Sequence, residues 1–523
     1  MSKPSRRPQR EQIKELRKEK KKQQQGLREK QQAADLAPFV KSSVPNACSP
    51  FDTVEEECAG RFKAVAGQAH VLRQQLPVLL RRLSKIPEPR HLKKTKHQLT
   101  VLMIYGILVF VLQYTSRRQA NGGITHPMIE QNLRLLFPEL EHMPHADTLL
   151  RLVRRIDVQA IEQAQIELVN QLIRKKKFMP LRVNNCYPIA IDGTQKLAGL
   201  ELWSEELLQR RIPSSSDKEA SDKPSCDEES VRYKYSIYVL EANLSFRNGM
   251  VIPLMTEFLN YQEGDSERKK QDCETRAFHR LAKRIKQAFP RLPVMLLLDG
   301  LYAQAPVMER CQDYHWQFMI VLKNGSLPTA WEEYRSLLNL QPGNEHRQNW
   351  GERRQHFRWA NHIRYEYGPN ANRHLAIHVV VCDEQWEVVN EHNEIVTTTG
   401  KQAWISSRPL NPANVHERCN LAARYRWGIE SNFLVEKHQG YAYEHLFAKD
   451  WNAMRGYHYL MRLGHLINTL ARFSSELAPM IRRMGVRPFL EFVRTTLSGP
   501  WLDLFGLDEV AQCMRQPFRL RFI

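Results

Sequence analysis

No two of the nine cysteines form a CxxC pair, and their odd number leaves no complete disulfide framework. Cys48, Cys58, Cys186, Cys226, Cys273, Cys311, Cys382, Cys419 and Cys513 are scattered along 523 residues. This argues against a cystine-stapled secreted fold and against a structural zinc, and a reducing cytoplasm is expected. A secretion leader is also lacking, because the N-terminus is charged with no apolar core behind it. Long apolar runs are scarce. The longest, Leu99 to Leu112, spans about 14 residues, short of the roughly 20 a bilayer requires, and reads as a buried helix. Acidic residues are in deficit, with 57 Asp and Glu against 77 Lys and Arg. The net charge of +20 and pI near 9.6 imply a polyanionic partner, most often nucleic acid.

What is present falls into six stretches. Residues 1–50 form a Lys/Arg/Gln-rich tail, expected to be disordered, closed by a Ser/Pro/Asn linker over Ser42–Pro50. Residues 51–180 are helical by periodicity, with apolar repeats in Val71–Leu83, Leu99–Tyr114, Met128–Phe137 and Leu149–Leu172. Asp147 and Thr148 supply a capping signal before Leu149, Leu152, Val153 and Ile156. At Cys186 the period changes. Strands are expected at Tyr187–Asp192, Tyr233–Phe246, Met250–Phe258, Val294–Leu298 and Trp316–Leu322, with helices at Lys270–Phe289 and Pro306–Tyr314. A Ser/Asp-rich loop interrupts them between Glu201 and Ser230. The order βββαβαβ over 181–323 predicts a mixed α/β sheet flanked by helices. Residues 324–410 read as a β-rich insertion, 411–480 as the second part of the core, and 481–523 as a tail.

Asn411 to Gly440 reads as one long helix, with Asn411 as cap, Pro412 at the first helical position and Gly440 as stop. Arg426, Glu430 and Lys437 share one stripe of it, because steps of 4 and 11 residues return to within about 40° and 20° of the start. Asp192 and Asp299 each end an apolar strand and precede a glycine. Alone, each would be an ordinary turn aspartate, and Glu430 an ordinary helix ion pair with Arg426. Together they place three carboxylates where α/β sheets gather ligands, with two cations beside them. Such oxygen donors suit Mg²⁺.

Arg426, three residues, Glu430, six residues and Lys437 match the Arg-Glu-Lys part of a signature. With Ile-Asp192-Gly-Thr, Leu-Asp299-Gly-Leu-Tyr and Pro144-His-Ala-Asp-Thr-Leu, the chain from about residue 99 to 470 resembles the DDE transposases of bacterial insertion sequences. The branch is the one with a Tyr-Arg-Glu-Lys signature. The signature tyrosine is replaced by Ala423, and Tyr425 lies roughly 160° away around a helix.

The resemblance implies an RNase H-like core in which Asp192, Asp299 and Glu430 hold Mg²⁺, with Mn²⁺ able to substitute. It implies that Arg426 and Lys437 grip DNA phosphates. It implies hydrolysis at transposon ends and strand transfer into target double-stranded DNA by a homodimer assembled on DNA, in a bacterial cytoplasm at the nucleoid. Relatives hold a displaced base on an insertion-domain tryptophan. Trp350 and Trp359 are the candidates here, although a core position is the commoner fate of a tryptophan in a β domain. Lys323 and Asn324 are further DNA-facing candidates. A related nuclease without strand transfer, or a non-catalytic DNA-binding descendant, remain alternatives from the sequence.

Overall fold

Apolar residues recurring every three or four positions make the N-terminal half helical. It comprises α1 (Val54–Leu83), α2 (Leu99–Val111), α3 (Arg117–Ile124), α4 (Pro127–Leu136), α5 (Ala146–Val153) and α6 (Gln159–Arg174). The computed structural model describes residues 49–212, 233–260, 273–389, 395–500 and 520–522, plus a few single positions near either end. The basic tail, most of the Ser42–Pro50 linker and the Ser/Asp-rich loop beyond 212 lie outside the described residues. Thr53 opens α1, its hydroxyl oxygen accepting from the Glu56 N–H at 3.2 Å. The single helix expected over Leu149–Leu172 is two, α5 and α6. The cap of α5 is His145, whose Nδ1 accepts from the Asp147 N–H at 3.2 Å, so Asp147 lies inside the first turn. Leu149, Leu152, Val153 and Ile156 are buried as their spacing predicts.

The second half is built on β1 (Tyr187–Gly199), β2 (Leu208–Arg211), β3 (Tyr233–Ser245) and β4 (Val251–Leu259). Next come α7 (Glu274–Ala288), β5 (Val294–Leu298), α8 (Ala305–Asp313), β6 (Gln317–Val321) and α9 (Pro328–Leu340). Then follow β7 (Glu345–Trp350), β8 (Arg353–Tyr367), β9 (Arg373–Val389), β10 (Ile395–Ser406), α10 (Trp427–His438), α11 (Trp451–Phe473), α12 (Ala478–Met484) and α13 (Val486–Leu497). All ten strands share one mixed sheet, ordered β2-β3-β1-β5-β6-β10-β9-β8-β7, with β4 also on β3. Strands β1, β5 and β6 are parallel and the other pairings antiparallel. The expected βββαβαβ order appears as β1, β3, β4, α7, β5, α8 and β6. The short β2 and β7 carried no clear sequence signal.

Helix α11 joins the two halves. Eighteen of its residues are buried, so it is wrapped on all sides. It packs on α2 at two glycines. A Cβ on Gly106 would lie 2.9 Å from Leu460 Cδ1, and one on Gly464 would lie 2.6 Å from Phe110 Cβ. Such close approach buries Phe110 and Leu460 completely. Each contributes about 1.5–3 kcal/mol of hydrophobic stabilisation. The apolar run at α2 is therefore a core helix. Among the described residues no helix is long and apolar enough to cross a membrane.

Candidate active site

The expectation that β1 ends at Asp192 is wrong. The strand runs on to Gly199, and Asp192 and Gly193 pair with Glu241 and Leu240 of β3. On the other side β1 runs parallel to β5, with Ala190 beside Leu297 as the last paired residues. Asp192 and Asp299 each follow that pair by two residues. They share one register, Asp192 still within β1 and Asp299 just past the end of β5. Asp299 does end its strand. Its Oδ1 accepts from the Leu301 N–H at 2.8 Å and caps a tight turn over Gly300–Tyr302.

Neither glycine after an aspartate serves a turn that demands unusual dihedrals. Each admits a charged side chain. A Cβ on Gly193 would lie 2.7 Å from the Glu274 carboxylate, and one on Gly300 would lie 2.9 Å from the Lys323 side chain. Lys323 Nζ reaches Asp299 Oδ2 at 3.4 Å.

The third acid arrives on a helix that is not the single α-helix expected over Asn411–Gly440. Asn411 caps its first turn, its Oδ1 accepting from the N–H groups of Ala413 and Asn414 at 3.0 Å. The chain then winds as a wide π-turn over Glu417–Ala422 and a tight 3-10 turn over Ala423–Arg426, and only then as α10. Side chains pull this segment out of regular winding. Glu417 accepts from the Asn184 N–H at 2.6 Å. Buried Arg418 donates to Gln317 Oε1 at 2.6 Å and Ser406 Oγ at 3.0 Å. Asn420 donates to Gln355 Oε1 at 2.7 Å, and buried Arg424 pairs with buried Glu384. These partners come from the turn before β1 and from β6, β8, β9 and β10, a tertiary constraint that no helical periodicity encodes. The stripe survives because Glu430 and Lys437 lie in α10 and Arg426 is the residue that opens it.

Arg426, only 7% exposed, bridges two acids, with Nη2 at 2.8 Å from Glu430 Oε1 and Nη1 at 3.5 Å from Asp192 Oδ2. Its buried Nε has no hydrogen-bond partner. Burial lifts the Asp192 carboxyl to about 6. Arg426 opposes this, and Glu430 and Asp299 add to it, so the three acids share one electrostatic site. Among the described residues no three acidic, imidazole or thiol groups are gathered tightly enough to ring an ion, since a guanidinium stands between Asp192 and Glu430. Lys437 lies farther along, 3.0 Å from Glu444 Oε1 and donating to the Gln195 carbonyl of β1 at 3.2 Å.

The acid helix is held from behind by Glu436. This buried carboxylate accepts from Arg462 Nη1 at 2.9 Å and lies 2.7 Å from His465 Nδ1, both on α11. Burial penalises its charge, but Arg462 and His465 prevail and lower it to about 2. Arg462 also meets Glu241, which sits opposite Asp192 in the sheet, at 3.0 Å.

Trp359 is buried in a core cluster, and Trp350 is buried with the Arg424 guanidinium 5.1 Å from its ring, so neither presents a face to a ligand. The exposed tryptophan beside the acids is Trp427. It is 49% exposed and lies 4.8 Å from the Arg426 guanidinium, and it stands inside the signature between Arg426 and Glu430. Ala423, at the signature tyrosine position, is buried, and so is Tyr425. No curated protein matches this chain. A family model described as DDE_Tnp_1-associated matches residues 80–169, within the helical N-terminal half and short of all three acids, and it points to a DDE-type transposase family.

Proposed function

We propose that this chain is a DDE transposase with an RNase H-like core, which cuts DNA at transposon ends and joins the freed ends to target DNA. The observation that carries the proposal is Arg426 spanning Asp192 and Glu430, while Asp299 shares the register of Asp192 just past the end of the next strand. Residues separated by more than a hundred positions thus meet in the pattern that the transposase resemblance requires. The matched N-terminal segment supports the same family independently of these residues.

The donor set fits a hard divalent ion. Asp192, Asp299 and Glu430 offer carboxylate oxygens, the donors that such an ion prefers. Mg²⁺ or Mn²⁺ held by Asp192, Asp299 and Glu430 would supply the Lewis acidity for phosphodiester attack by water or a 3′-hydroxyl. Arg426 pairs with two of the acids, Asp192 and Glu430, before substrate arrives. Lys437 and Lys323 add positive charge on either side of the acids, and Trp427 offers a ring on which a base can stack. Paired DNA ends imply a dimer on DNA, and a nucleoid location follows from the substrate.

The test is cleavage of a plasmid that carries the gene with several hundred flanking base pairs. Wild type is compared with Asp299→Asn, each in Mg²⁺ and in EDTA. Metal-dependent release of a fragment with defined ends, absent in the variant, is expected. Release without later joining would make the protein a nuclease. Binding with no difference between wild type and variant would make it a non-catalytic DNA-binding descendant.

A further inference from the structure

Glu274, the first residue of α7, touches β1 beside Asp192 and the turn that follows Asp299. On β1 its Cδ and Oε1 lie 2.7 Å from where a Gly193 Cβ would stand, against the residue next to Asp192. At the Asp299 turn, buried Tyr302 donates its hydroxyl to Glu274 Oε2 at 3.2 Å. The next residue, Thr275, accepts from Gln304 Nε2 at 3.2 Å, a second tie between α7 and that turn. Tyr238 of β3 closes the group, its Cε1 lying 2.8 Å from the same Gly193 position. Burial raises the Tyr302 phenol, and Glu274, Asp192 and Asp299 add to the shift.

Side chains alternate across a strand, so the vacant Cβ direction of Gly193 points away from the face on which Asp192 meets Arg426. Glu274 therefore presses on β1 from behind and is not a fourth ligand. Because one carboxylate contacts the backbone beside one acid and the turn that bears the other, we propose that Glu274 is a positioning residue that fixes the spacing of Asp192 and Asp299. The proposal rests on the reading of those two acids as metal ligands.

The experiment is calorimetric titration of Mn²⁺ into the full chain, with Mg²⁺-dependent cleavage alongside. The variants are Glu274→Ala, Glu274→Gln and Gly193→Ala. Glu274→Ala is expected to bind Mn²⁺ about tenfold more weakly, in the range seen when residues behind a metal's ligands are removed. Glu274→Gln is expected to restore binding, because its amide oxygen still accepts from Tyr302. Gly193→Ala, which displaces the carboxylate, is expected to repeat the Ala result while α7 and the core still melt as in wild type. If wild type binds and Glu274→Ala binds equally well, the positioning role falls alone. If wild type takes up no ion, the ligand reading of the acids falls and takes this role with it. Loss of binding in Glu274→Gln equal to that in Glu274→Ala also overturns a geometric role.

Discussion

Replacing Asp192 by Asn is expected to make the protein more stable. The carboxyl is raised from 3.8 to about 6, chiefly by burial. A rise of about two units at 1.36 kcal/mol each is about 3 kcal/mol, the disadvantage that the folded state carries when Asp192 is ionised. The opposing pull of Arg426 is already contained in that net shift. Between pH 4 and 6 the folded chain keeps a proton that the unfolded chain has released, so stability falls as pH rises through this window. Above pH 6 the full deficit is present. Asn matches Asp in size and removes the charge. In urea unfolding without divalent metal, Asp192→Asn should therefore gain about 3 kcal/mol at pH 7.5. The gain should shrink toward zero near pH 4. An Asn variant no more stable than wild type at pH 7.5 refutes the argument, and so does a gain independent of pH. Adding Mg²⁺ should stabilise wild type and leave the variant unmoved, narrowing the gap from the other side.

Glu430→Gln should abolish cleavage while changing DNA affinity, read by gel shift, by less than about threefold, because a single charge contributes little to a multi-phosphate contact. Lys437→Ala should slow cleavage by about tenfold without abolishing it, since it contributes one of several positive charges and sits farther from the acids; single-turnover rates decide this. Gly464→Ala should cost about 1–3 kcal/mol in urea unfolding, because its Cβ would meet Phe110 at 2.6 Å inside a packed helix crossing. An unchanged midpoint would show that α2 and α11 have room to move apart.

The strands and the charged stripe were readable because their signals are local. Val294–Leu298 is apolar throughout and is buried throughout, as a parallel central strand requires. Arg426, Glu430 and Lys437 lie within three turns of one another, so a helical wheel orders them. The course of β1 beyond Asp192 was not readable, since Asp-Gly is more often a turn and the glycine is explained by Glu274, 81 positions away, and by Tyr238. The rewinding at Glu417–Arg426 was equally hidden. The helix-forming pattern is intact there, and the distortion comes from Asn184, Gln317, Gln355, Glu384 and Ser406 pulling from distant segments. Trp427 was passed over because position in a signature does not tell exposure. Trp350 and Trp359 show the reverse, both rings being buried, Trp359 in a core cluster and Trp350 against Arg424.

The continuous sheet has a consequence for how the protein is made. Strand β10 hydrogen-bonds to β6 through Trp404, Ile405 and Ser406, and the winding that aims Arg426 and Glu430 is braced by residues of β8, β9 and β10. During synthesis, Asp192 and Asp299 leave the ribosome long before Glu430, and everything between residue 324 and 406 must fold before the last helix has a seat. A nascent or prematurely ended chain thus holds two of the acids with neither the third nor the guanidinium that bridges them. The detour through the four outer strands thus brings the three acids together only in a chain translated past Glu430.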